Sequence, residues 1–140
     1  MSDIITLIKE EVVFMKNELI IKKCKSCGAL VKIIEDCKCS GCGIQCCGEE
    51  MEVLVPNSVD ASFEKHIPTY EKVEDKVLVK VNHPMEEEHY ITSIIFVNGN
   101  KEKTVNLHPG EAAEAKFKYV PGSTIYAYCN KHGLWMSKID

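Results

Sequence analysis

The second half of the chain alternates. Val77, Val79 and Val81 lie on one face of an extended segment and Leu78 and Lys80 on the other, the period of two expected of a strand. Tyr90 to Val97 is rich in β-branched and aromatic residues and ends at Asn98-Gly99, a dipeptide suited to a tight hairpin turn. Lys101 to Leu107 alternates and stops at His108-Pro109-Gly110. Ala113 to Val120 alternates less regularly and stops at Pro121-Gly122. Thr124 to Tyr128 leads into a loop around Cys129, and Leu134 to Ile139 can close the sheet. Short strands with turn residues every 8–12 positions or so predict an antiparallel β-sandwich over 56–140.

The first half reads differently. Ile4, Ile8, Val12, Met15 and Leu19 form a stripe at helical spacing, with Lys9, Glu10, Lys16 and Asn17 off it and Asp3 as N-cap candidate. This predicts a short helix in an extension over 1–19, packed on its own domain or on a second subunit. No chemistry attaches to it. Between 20 and 55 the apolar content, chiefly Leu30, Val31, Ile33 and Ile34, suffices for one hairpin. Seven cysteines crowd between Cys24 and Cys47 instead. A segment this poor in core needs a staple, and metal is the staple expected where thiols stay reduced. Cys24-Lys25-Ser26-Cys27-Gly28 has the form of a knuckle, two thiolates on a tight turn whose backbone N–H groups can face the sulfurs.

Composition narrows the function. All 17 basic residues of the 140 are lysines, and the net charge is −4. Without arginine the bidentate contacts that read bases and phosphates are lost, so no nucleic-acid partner is expected. The apolar N-terminal run is broken by Lys9-Glu10-Glu11 without a small-residue cleavage site, and no run has bilayer length. A cytoplasmic protein with no membrane partner is the expectation.

Candidate chemistry converges on Cys129-Asn130-Lys131-His132-Gly133-Leu134-Trp135. A thiol and an imidazole three residues apart, followed by a glycine that turns without steric cost, can aim at one point. Cys129 stands far from the other seven cysteines, so its partners are sought among the histidines. Those fall in Glu64-Lys65-His66-Ile67-Pro68, in His83-Pro84-Met85-Glu86-Glu87-Glu88-His89-Tyr90, and at His108. The ordinary reading of any one of them is a solvated or core imidazole. Four imidazoles and a cysteine at strand ends favour a metal, because the loops of a sandwich gather at its two ends.

These segments, in this order, resemble the superoxide reductase domain of desulfoferrodoxins and neelaredoxins. The N-terminal part is similar to desulforedoxin through Cys24-x-x-Cys27-Gly28 and Cys46-Cys47-Gly48-Glu49, with Met51 following. The resemblance covers residues 20–140. It implies a mainly β chain with a desulforedoxin-like Fe(Cys)4 module over 20–55 and an immunoglobulin-like superoxide reductase domain over 56–140. It implies two irons. One is held by Cys24, Cys27, Cys46 and Cys47; the catalytic one takes four equatorial imidazoles, from His66, His83, His89 and His132, and an axial thiolate from Cys129. Lys65 is implied to draw in superoxide, and Glu64 to supply a carboxylate to the ferric iron; His108 has no part. Neutral imidazoles with one thiolate suit ferrous iron and leave a coordination position free. The implied reaction is one-electron reduction of superoxide to hydrogen peroxide, with a rubredoxin-like or other reductase as external electron donor and a homodimer as assembly.

Two features depart from the family pattern. One is the N-terminal extension. The other is Cys37, Cys39 and Cys42, where the family has a glycine-rich loop; Cys39-Ser40-Gly41-Cys42-Gly43 is itself knuckle-like, which leaves two candidate ligand sets for the first site. Rival functions are a rubredoxin-like electron-transfer protein without oxygen chemistry of its own, a Cys129–His132 nucleophilic enzyme, and a zinc-ribbon regulator. A carrier that only docks partners has no need of five ligands, the nucleophilic enzyme leaves His66, His83 and His89 unexplained, and the regulator is weakened by the absence of arginine.

Overall fold

The computed structural model describes residues 19–39, 43–59, 61 and 65–140. The helix expected over 1–19 falls outside the described residues except for Leu19, and Cys42 and Glu64 fall outside them too. The chain divides into two compact units, Met1–Leu54 and Val55–Asp140.

The first unit contains β1 (Ile21–Lys23), β2 (Leu30–Lys32), β3 (Gln45–Cys46), β4 (Glu49–Glu50) and β5 (Glu52–Val53). β1 is central, paired antiparallel with β2 and β5, while β3 and β4 form a separate hairpin. This is more sheet than the single hairpin read from the sequence, and its interior is different. Leu19, Ile21, Cys24 and Met51 are buried, whereas Leu30 is 38% exposed and Ile34 94%. A unit this small encloses only the side chains next to its central strand, so the apolar residues of the outer strand stay in water. Lys22 is also buried, and its ammonium lies 3.0 Å from Asp36 Oδ1. The paired carboxylate compensates the loss of hydration.

The second unit contains β6 (Thr69–Val73), β7 (Lys76–Lys80), β8 (Ile91–Asn98), β9 (Lys101–Asn106), β10 (Glu114–Lys118), β11 (Thr124–Cys129) and β12 (Gly133–Lys138). They form two antiparallel sheets, β10-β7-β6 and β12-β11-β8-β9. The division into three and four strands is that of an immunoglobulin-like sandwich. Val77 and Val79 of β7 and Ala115 and Phe117 of β10 meet Ile94 and Phe96 of β8 and Ile125 and Ala127 of β11 in one core. Phe96 and Phe117, from opposite sheets, stack at 4.8 Å between ring centroids. Each strand end read from the sequence lies close to an observed one, but β6 was not foreseen. It is an edge strand whose five residues include only one, Tyr70, that is not exposed. Its alternation therefore carries little apolar signal.

Two local devices shape the end of the sandwich where β11 stops. The pairing of β11 with β8 runs in register to Tyr128↔Ser93 and then jumps to Cys129↔Ile91, leaving Thr92 as an extra residue. This bulge reverses the parity of β8, so Ile91 and Ile94 both face the core, while Cys129 continues the inward series Ile125, Ala127 of β11. Asn57, with φ of 61°, completes the free edge of β12. Its side chain accepts from Met136 N–H at 2.8 Å and donates to Met136 O at 3.2 Å.

Candidate metal centres

In the first unit, the Cys24–Gly28 turn is closed by hydrogen bonds from Gly28 N–H to Cys24 O at 3.0 Å and from Cys24 N–H to Ala29 O at 2.9 Å. Cys27 N–H points at Cys24 Sγ, 3.5 Å away. The opposite pair of thiols comes from the β3–β4 hairpin, whose two turn residues, Cys47 and Gly48, have φ of 55° and 78°. That is the twist a two-residue hairpin demands, but it is uncomfortable for a residue with a side chain. The sulfurs of Cys27 and Cys46 lie 3.6 Å apart and those of Cys46 and Cys47 4.0 Å apart. Four sulfurs tetrahedrally placed about 2.3 Å from one ion would stand about 3.8 Å from one another. The Cys27 N–H pulls the Cys24 thiol down to about 7, while sharing hydrogen bonds with its neighbours holds Cys46 up at about 12. Thiols this crowded resist becoming four thiolates unless a cation is shared, so the donor set fits a metal.

Cys37 is exposed, its N–H and thiol directed to Asp36 Oδ1 at 2.9 and 3.6 Å. Cys39 is disulfide-bonded. Among the described residues, neither belongs to the four-sulfur group.

In the second unit, the loops at one end of the sandwich bring His66, His83, His89, Cys129 and His132 together, with their candidate ligand atoms all within 4.8 Å of one another. Gly133 makes the return from the Cys129 loop possible with φ of 84°; a Cβ there would press on Val59 at 3.1 Å. His66 Nε2 is 3.1 Å from His132 Nδ1, and Cys129 Sγ is 3.3 Å from His83 Nε2 and 3.8 Å from His132 Nδ1. Imidazole nitrogens bound at right angles to one ion, about 2.1 Å from it, would be about 3.0 Å apart. His83 Nδ1–H donates to Pro84 O at 2.6 Å, which leaves the Nε2 lone pair facing inward. His66 stacks on Trp135, and Trp135 Nε1–H donates to His132 O at 3.0 Å.

His89 Nε2 decides the reading of this cluster. It is buried with no hydrogen-bond partner, a state that native structures rarely tolerate without an ion or water. Burial lowers the affinity of His83 and His89 for protons and so keeps them neutral, the form that binds metal. Burial also pushes the Cys129 thiol up, while the Lys131 and His132 N–H groups act against it. Lys65 is exposed and lines, with Ala61 and Pro84, the open hollow onto which His66, His83, His89 and His132 face. His108 stands apart, exposed and paired with Glu111 at 3.4 Å. The structure adds residues to which the sequence reading assigns no role: Asn130, Trp135 and the Pro84 carbonyl. The only signal for the first two was their place beside the ligand candidates.

An antiparallel sandwich with four imidazoles and a thiol at one end, preceded by a module with four gathered thiols, belongs to the class of two-centre non-haem metalloproteins. Residues 58–138 match the family model described as Desulfoferrodoxin. The desulfoferrodoxin of Syntrophotalea carbinolica is 40% identical over 129 residues, 89% of this chain and 99% of the relative. The desulfoferrodoxin of Desulfarculus baarsii is 38% identical over 129 residues, with the same coverage of 89% and 99%. Among solved structures, the superoxide reductase from Treponema pallidum aligns with a TM-score of 0.65 and 29% identity, over 86% of this chain and 99% of that one. The chain belongs to the desulfoferrodoxin family. Its group of four cysteines and its group of four histidines and one cysteine match the two iron sites of that family.

Proposed function

We propose that this chain is a superoxide reductase: one electron and two protons are added to superoxide, giving hydrogen peroxide. The observation that carries the reading is the gathering of one thiol and four imidazoles, with a buried and partnerless His89 Nε2, beneath an open hollow. The relatives named above support it. His66, His83, His89, His132 and Cys129 would together hold the catalytic iron, and Cys24, Cys27, Cys46 and Cys47 would hold the other. Iron(II) in the histidine–cysteine centre supplies the electron and a local positive charge.

The protein's own groups do the rest. His83 is held in the ligating tautomer by Pro84 O, and His66 is held flat by Trp135. The Lys131 and His132 N–H groups favour the thiolate form of Cys129 in a site whose burial opposes it. Lys65, exposed at the hollow, is the proposed guide for the anion, and Glu64 the proposed carboxylate that closes the site after peroxide leaves. A rubredoxin-like or other reductase is the proposed donor. The proposed second partner is another copy of the chain, for which the exposed Leu30, Ile34 and Val53 of the first unit provide apolar surface. No helix among the described residues is long and apolar enough to cross a membrane. A cytoplasmic location is proposed on the thiols of the two donor groups, Cys24, Cys27, Cys46, Cys47 and Cys129, which are not in disulfides.

The experiment is peroxide stoichiometry. Iron-loaded, pre-reduced protein exposed to a superoxide flux with a reductant present should yield one peroxide per superoxide and no oxygen from it. One peroxide for every two superoxides, with oxygen evolved, would mean dismutation and overturn the proposal. Cys129→Ser should lose both the thiolate-to-iron absorption of the oxidised centre and nearly all of the activity. Retention of both would remove Cys129 from the centre.

A further inference from the structure

Three of the four imidazoles have a device that fixes them. His66 lies on Trp135, His83 Nδ1–H donates to Pro84 O, and the His132 carbonyl accepts from the Trp135 indole. His89 is different. Its Nε2 has no partner, and its ring meets the edges of His83 and His132 at 4.6 and 5.0 Å, neighbours that belong to the centre themselves. Its direction is therefore set through its backbone.

That backbone is a surface turn. Glu86 and His89 exchange N–H to O hydrogen bonds of 3.0 and 3.2 Å, and the three glutamates from 86 to 88 are exposed. Three like charges in succession favour an open turn over a compact one. The turn is fastened to the centre by one residue. Asn130 Oδ1 accepts from Tyr90 N–H at 3.0 Å, Asn130 Nδ2 donates to Glu88 O at 3.1 Å, and Asn130 N–H donates to Tyr90 O at 3.2 Å. A single side chain thus grips the residues on both sides of His89, from the position next to Cys129.

We infer that Asn130 is the positioning residue of His89, a clamp that sets where this imidazole stands relative to Cys129 and His132. The task requires an acceptor and a donor on one short, planar arm, which asparagine has and aspartate or serine lacks. The inference rests on the reading of His89 as a ligand. It adds that this ligand is held by the loop that carries the thiolate, so displacement of one loop moves both.

The test uses the full chain and reads iron(II) affinity of the histidine–cysteine centre by anaerobic competition with a chromophoric chelator. The absorption of the four-cysteine iron and the circular dichroism of the sandwich serve as folding controls. Asn130→Ala should weaken iron binding at the histidine–cysteine centre about 10–100-fold, as loss of an outer-shell partner does. It should also shift the thiolate-to-iron absorption of that centre in the oxidised protein while the spectrum of the four-cysteine iron stays unchanged. Asn130→Asp keeps the acceptor for Tyr90 N–H and loses the donor to Glu88 O, so it should fall between parent and alanine variant. This variant decides the matter should the alanine chain not fold. In a His89→Ala background, Asn130→Ala should change the affinity by less than about twofold, because coupled residues do not add. Unchanged affinity and absorption in both Asn130 variants, or a full additive loss in the His89→Ala background, would overturn the clamp. A parent chain that takes up no iron in this centre would instead overturn the centre itself.

Discussion

The Trp135 ring stacks on the His66 ring, with centroids 4.9 Å apart and planes 21° from parallel. Trp135 is fully buried, and its indole N–H reaches the His132 carbonyl, so one side chain braces the His66 imidazole and the backbone that carries His132. Trp135→Phe keeps an aromatic face against His66 but removes the donor. It should destabilise the second unit by about 1–3 kcal/mol, from lost volume and one lost hydrogen bond. It should also weaken iron binding at the histidine–cysteine centre. Trp135→Ala should cost about 3–5 kcal/mol. Chemical denaturation of the metal-free chain, followed by the circular dichroism of the sandwich, measures the first effect, and chelator competition the second.

The surplus thiols should be dispensable for the first iron. Cys37 is spent on Asp36 and Cys39 on a disulfide, and neither joins the four-sulfur group. Cys42, outside the described residues, is grouped with them on sequence grounds. Replacing Cys37, Cys39 and Cys42 together with serine should leave the charge-transfer spectrum of the four-cysteine iron in place, whereas Cys46→Ser should abolish it. The reverse pattern would transfer the ligand role to the second knuckle.

The Lys22–Asp36 pair predicts how the first unit responds to acid. The hydrogen bond from Lys22 holds the Asp36 carboxyl below its ordinary 3.8, and the same bond holds Lys22 above its ordinary 10.5. The carboxylate contribution is complete above 3.8 and is lost as pH falls through the lower folded value, where the folded state must take up a proton. The ammonium contribution is complete below 10.5 and is lost as pH rises through the higher folded value. Asp36→Asn should therefore lower the stability of the first unit between these limits and flatten its dependence on pH below 3.8. Urea midpoints of the full chain at a series of pH values, read on a first-unit probe, would show it; parallel curves for parent and variant would contradict it.

Strands of the sandwich such as β7 and β10 were legible because they have one wet face. Ala113, Ala115 and Phe117 are buried in alternation with exposed Glu114 and Lys116, and period-two burial leaves period-two sequence. The centre was legible because its ligand types are rare and sit at strand ends. What escaped is what period and residue type do not encode. The bulge at Thr92 is set by pairing to a distant strand, and Ile34 is exposed although a run of apolar residues suggests otherwise. Asn57 and Asn130 act through hydrogen bonds to residues 79 and 40 positions away, which a linear reading treats as ordinary loop asparagines.

Lys65 is the residue whose proposed role is most easily mistaken for a neutral surface charge. An exposed lysine typically contributes ~0–1 kcal/mol through any one ion pair, and such a residue is usually replaceable. Its place argues otherwise here: it immediately precedes His66 and lines the hollow onto which His66, His83, His89 and His132 face. The chain as a whole carries a charge of −4, which repels an approaching anion, so a cation at the entrance changes the local field more than it changes stability. Electrostatic focusing of this kind raises association rates roughly ten- to a thousandfold and fades with ionic strength. Lys65→Ala should slow the second-order reaction with superoxide several-fold at low salt and flatten its dependence on salt, while leaving iron content and folding unchanged. Lys65→Arg, which keeps the charge, should restore most of the rate. Pulse radiolysis across a series of ionic strengths measures both quantities. A Lys65→Ala chain with the parent's rate and the parent's salt slope would assign the guiding charge to another group and return Lys65 to the solvated surface.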